Sequence, residues 1–114
     1  MTELWEILVP ASNNEKLDSF GFELKFSYEH HKAWDAFVKN ITGGLTVMKT
    51  AKGQWISPVT GVEYLDRMIP CRIACSEEQI RVIIAFTIEH YSQEAVMAYR
   101  ISENVIIQHK NEKS

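Results

Sequence analysis

Cysteine, proline and glycine are scarce in these 114 residues: two, three and five of each. The two cysteines exclude a disulfide framework. Cys71 and Cys75 lie four apart on one expected strand, which sets their Cα atoms ~13 Å apart at about 3.3 Å per residue. A disulfide needs less than about 7 Å, so both are expected to be buried thiols in a reducing compartment. No low-complexity segment and no internal repeat interrupts the chain. No apolar run approaches the ~18 residues of a membrane span. The opening MTELWEILVP is acidic where a secretory signal is basic, and its apolar run is too short. A cytoplasmic protein without membrane contact is expected.

Strong charge of one sign is also missing. The net charge is −3, whereas nucleic-acid binders present a basic face to phosphate. That balance argues against nucleic acid as a partner. With 46% hydrophobic and 24% charged residues, the composition is that of an ordinary globular chain. One domain over residues 1–109 is expected, with a frayed charged tail at 110–114.

Residues 3–9, ELWEILV, alternate as a strand that Pro10 ends. Residues 11–21 are polar and read as a loop, and FELKF reads as a short edge strand. Ser27 is the expected N-cap of a helix from Tyr28 to Ile41, with Ala33, Trp34, Phe37, Val38 and Ile41 as its apolar stripe. Gly43-Gly44 stops it. LTVMKTA, 45–51, reads as a strand, Lys52-Gly53 as a turn, and GQWIS as a segment that pairs back or continues the sheet edge. PVTG, 58–61, is a second turn.

EYLDRMIPCRIAC, 63–75, is a long strand in which Pro70 predicts an edge position or a bulge. Ser76 and Gln79 form a capping box for a helix reaching Ser92. AVMAYRI, 95–101, a turn at 102–104 and VIIQH complete the order. The pattern β, α, β, β, α, β with extra short strands predicts an α+β, ferredoxin-like sheet with both helices on one face.

GGLTV, KGQW, the strand beginning at Glu63 and HYSQEAVMAYR together resemble a family of small bacterial and phage-associated domains of unknown function. The resemblance covers about residues 30–107. It implies the same ferredoxin-like fold and transfers no catalytic residue.

Several residues stand out as candidate site groups. Arg67 falls in the core register of its strand with Leu65, Ile69, Cys71 and Ile73. A buried arginine must be paired. It either reaches the sheet rim to pair with Asp66, Glu63 or Glu6, or faces a pocket holding an anion, or is turned outward by a bulge at Pro70. Lys52, Gln54 and Trp55 set a cation beside an aromatic, suited to a flat or anionic ligand, or simply to a hairpin whose tryptophan caps the core. Tyr91 completes this expected ligand set.

Gly43-Gly44 follows a helix rather than preceding one and lacks the Walker lysine, so it is no phosphate loop. His30 and His31 are adjacent and point about 100° apart on a helix, a poor metal pair. No metal and no cofactor is expected. On the sheet face away from the helices fall Leu4, Glu6, Leu8, Met68 and Arg72, too apolar a set to stay wet. A homo-oligomer, a dimer by preference, is expected to meet there, with Glu6 and Arg72 fixing its register.

Two functions fit. One is a non-catalytic binding module, self-associating through that face and holding a small anionic or aromatic ligand, or a protein, at its rim. The other is a small enzyme of the dimeric α+β barrel type built on Tyr64, Tyr91, His90 and Arg67.

Overall fold

The computed structural model describes residues 2–17 and 23–110. Residues 18–21 of the loop expected at 11–21, Phe22 and the tail beyond Lys110 lie outside the described residues. The elements run β1 (Glu3–Pro10), β2 (Ser12–Leu17), β3 (Glu23–Lys25), α1 (Tyr28–Thr42), β4 (Thr46–Val47), β5 (Ala51–Ile56), β6 (Glu63–Cys75), α2 (Glu77–Tyr91) and β7 (Ala98–Ser102). Five strands make one antiparallel sheet in the order β4-β6-β1-β7, with β5 following β4 along the same side of β6. This is α+β and compatible with a ferredoxin-like arrangement. Where a loop was expected after Pro10, β2 pairs with β3 as a separate two-stranded sheet.

Both helices begin and end where their local chemistry dictates. The Ser27 hydroxyl accepts from the His30 N–H at 3.1 Å, and Gly43 closes α1 at φ 90°, donating to the Lys39 carbonyl. That left-handed conformation is open to glycine at little cost. Ser76 and Gln79 form the reciprocal capping box of α2. The helices cover one sheet face. Ile7, Val9, Cys71, Ile73 and Cys75 from β1 and β6 meet Trp34, Val38, Ile80, Ile83 and Tyr91, and all ten are buried. The Trp34 indole N–H donates to Thr87 Oγ1 at 2.8 Å, so even the largest core side chain buries no unmet donor.

Pro70 acts on its neighbour strand rather than its own. Val47 stands opposite Cys71 and Ala51 opposite Met68, so residues 48–50 face only 69–70. The edge bulges by one residue there. The Met48 N–H donates to the Pro70 carbonyl at 2.9 Å, so Pro70 turns this same edge its missing N–H. The β1–β6 register stays unbroken through Pro70. Arg67 therefore keeps the register of Ile69 and Cys71, and the flipped alternative does not occur. It is exposed because the strand has run past the helices at that point.

Lys52 and Gly53 lie within β5 rather than at a turn. Gly53 has a different reason to be glycine. A Cβ there would sit 2.4 Å from the Met68 methyl.

Candidate functional site

The helix-free face of the sheet is the other product of strand alternation. Leu4, Glu6 and Leu8 oppose Ala74, Arg72 and Pro70, and Pro10 opposes Met68. The five residues expected at an interface, Leu4, Glu6, Leu8, Met68 and Arg72, thus share this face. Glu6 is the group to explain, since it is buried and acidic. Its Oε1 accepts from Arg72 Nε at 3.0 Å and its Oε2 accepts from the Tyr99 hydroxyl. One carboxylate ties three neighbouring strands together, because Glu6 pairs with Arg72 on one side and Tyr99 on the other. A charge-assisted network of this kind satisfies the buried group.

Beyond Pro10 the sheet narrows to a two-stranded ribbon of β5 and the first half of β6. Trp55 stacks on Tyr64 at 4.8 Å and 21°, and its indole N–H donates to Asp66 Oδ2 at 2.5 Å. The tip is organised by Ser57, which is buried. Its hydroxyl accepts from the N–H groups of Val59 and Thr60 and donates to Glu94 Oε1 at 3.1 Å. That last bond joins the ribbon to the loop between α2 and β7.

Floor, ribbon and loop together enclose a groove of about 790 Å³. Glu6, Leu8, Pro10, Met68, Pro70 and Tyr99 form its floor, β5 with Asp66 one wall, and Gln93 with Ala95–Met97 the other. The lining is mainly apolar, with Trp55, Tyr99, Met68 and Met97 as its large surfaces. A volume of this size is typical of small-molecule sites.

Four of the five expected ligand residues border this groove: Lys52, Gln54, Trp55 and Arg67. They do not present one surface to it. Trp55 lies on the Tyr64, Asp66 and Met68 side of the ribbon. Alternation sends the side chains of Lys52, Gln54 and Arg67 to the reverse side, where all three are exposed. Tyr91 does not join them. It is buried under the helices on the opposite side of the sheet.

Tyr91 belongs to a second cluster, where the start of α1 meets the end of α2. His31 Nδ1 and the Tyr91 hydroxyl are 2.6 Å apart. His30 Nε2 and His90 Nε2 each bond the other residue's backbone carbonyl, at 2.6 and 2.7 Å, with the rings stacked 3.8 Å apart. Phe26 stacks on His30, and Phe86 stacks on both His90 and Phe37. Five rings in a row therefore clasp the helix pair. Burial pushes the Tyr91 hydroxyl well above its ordinary pKa and His31 below its own.

The thiols are in the core as well. Burial raises Cys71 to about 12 and Cys75 to about 11, so both stay protonated and poorly nucleophilic at neutral pH. Among the described residues no group of three His, Cys, Asp or Glu converges as metal ligands, and no helix is long and apolar enough to cross a membrane.

Other residues at the groove and at its tip were not singled out as ligand groups by sequence patterns. Asp66, expected as a candidate partner of Arg67, accepts from the Trp55 indole, and Ser57 and Glu94, beside the groove rather than in its lining, meet across 37 positions. Gln93 and Met97 lie in a loop whose path no local pattern specifies.

Comparison with family models, curated proteins and solved structures gives no match, so the resemblance described above rests on its motifs and the reading of the groove on its own geometry.

Proposed function

We propose that the protein is a non-catalytic binding module that takes a small flat organic molecule in the groove on its helix-free sheet face. The groove itself carries this reading. It is ligand-sized, and thioether, proline and aromatic surfaces line it. Its floor carboxylate, Glu6, is already engaged by Arg72 and Tyr99. Such a lining favours stacking and apolar contact over charge recognition. An aromatic ligand suits it better than an anion, because the cations Lys52 and Arg67 point to the reverse of the ribbon.

The enzyme alternative asks Tyr64, Tyr91, His90 and Arg67 to share a pocket. His90 and Tyr91 lie in the helix clasp, while Tyr64 and Arg67 lie on opposite sides of the ribbon.

Native mass spectrometry of gently purified protein, compared with its denatured mass, tests the binding reading. The expected result is a ligand-sized non-covalent addition that Trp55→Ala loses. A bare wild-type chain overturns it. A bare oligomer overturns it equally, since assembly without added mass leaves the groove unfilled.

A further inference from the structure

The sheet ends at β7, and the next residues leave an unused strand beside an unused edge. The Leu8 N–H donates to the Met97 carbonyl at 3.0 Å, and Glu6 pairs with Tyr99 in the same register. Antiparallel alternation then turns the N–H and C=O groups of Ala98 and Arg100 to the outer edge. No strand of the described residues pairs there.

After β7, the Ser102 hydroxyl accepts from the Asn104 N–H at 3.2 Å and donates to its carbonyl at 2.9 Å. The chain then runs on through Val105, Ile106 and Ile107 without joining a ladder. Ile106 is 90% and Ile107 62% exposed. Single exposed apolar residues are ordinary. Two adjacent exposed isoleucines after a half-buried valine are less so, since such β-branched residues favour strand pairing.

We propose that Val105–Ile107 of one copy adds as a strand to the outer edge of β7 in a second copy, and that the exchange is reciprocal. A bare edge is a template for such addition. The occupant is a second copy because donor segment and acceptor edge lie on the same chain. One pairing then brings its twin by two-fold symmetry. Tyr99 and Ile101, both exposed on β7, would flank the incoming isoleucines, and aromatic with β-branched neighbours is a favourable cross-strand combination. This goes beyond the ligand reading and does not require the groove to be filled.

Sedimentation equilibrium with amide hydrogen exchange tests it on the full chain and on the Ile106→Asp/Ile107→Asp variant. Both replaced side chains are solvent-facing in the single copy, so the variant keeps its fold and melting behaviour as a monomer. The wild type should be a dimer in which the Ala98 and Arg100 amides exchange slowly. The variant should be monomeric, with those two amides at least about tenfold faster and the inward Tyr99 amide unchanged. A variant that remains dimeric, a wild-type dimer with fast edge amides, or a monomeric wild type each overturns the proposal. None of these outcomes alters the native-mass result for the groove, so the two readings fail separately.

Discussion

Along β1, Ile7 and Val9 are sealed beneath the helices, while Leu4 and Leu8 stay half-buried on the other side. The same contrast runs along β6, where Cys71 and Ile73 are sealed and Met68 and Pro70 are not. Both faces are apolar by sequence, and only one is covered. The helix-side face is a finished core in which even the buried indole and threonine hydroxyl are satisfied. The open face has a different organisation. A single three-strand carboxylate network holds its centre, and a groove occupies the end toward the ribbon. Apolar surface that no part of the described chain covers is the ground of the binding proposal.

The largest test of that contrast is truncation on either side of one strand. Ile73→Ala should cost about 2–5 kcal/mol by opening a cavity in the sealed face. Leu8→Ala, half-exposed in the groove, should cost less than about 1.5 kcal/mol, because little packing is lost. Equal losses in chemical denaturation would show that the open face is structural after all.

Next in size is Glu6→Ala. It removes the acceptor for both Arg72 and Tyr99 and should cost about 1.5–3 kcal/mol, the range for hydrogen bonds to charged groups. Arg72 is exposed enough for water to replace part of this, which favours the low end. Thermal melts of Glu6→Ala against Tyr99→Phe separate the two bonds.

On the helix side, acid should act through His31. Burial lowers the His31 pKa in the fold, so the unfolded chain binds the extra proton more readily. The stability this contributes is present above the unfolded value of about 6.5 and is lost as pH falls below it. Denaturation midpoints across that window should fall with acid in the wild type and fall less in His31→Gln. The chemical shifts of Trp55 in the groove should not follow that titration.

The smallest effect is expected at Gly53→Ala. The added methyl displaces only the flexible end of Met68, so stability should change by less than about 1 kcal/mol. The Met68 methyl resonance should still move, since it must leave its place over β5.

Much of this was legible in the chain. Alternation in EYLDRMIPCRIAC separated Cys71 and Ile73 from Met68 and Arg72 correctly, because a period of two survives wherever the ladder is unbroken. The caps at Ser27, Gly43 and Ser76 were legible because capping is local chemistry. Pro70 signalled a bulge, but not that the neighbouring strand would supply it. The missing donor belongs to a pair of strands, and sequence shows one strand at a time. Lys52-Gly53 imitated a turn because glycine's two uses, positive φ and close approach, look alike in sequence. The groove was only half visible. Lys52, Gln54, Trp55 and Arg67 were singled out and do border it. The strand parity that separates Trp55 from the other three depends on the β5–β6 register. Tyr91 was grouped with the ribbon residues as a ligand candidate, and the fold sets it apart from them beside His31, since a tyrosine on a helix's buried stripe reads the same whether its hydroxyl meets a ligand or a histidine. VIIQH was expected to close the fold as a strand, and among the described residues Val105, Ile106 and Ile107 join no ladder.

The binding account is tested most directly by methyl and indole NMR during a screen of small aromatic fragments. Met68 and Met97 flank the groove from floor and loop, Trp55 stands on its ribbon wall, and Met48 lies outside its lining as an internal reference. The account predicts that fragments which bind will shift the Met68 and Met97 methyls and the Trp55 indole N–H together and leave Met48 in place. Fragments that move none of the three, or that bind and shift only residues away from the groove, would contradict it.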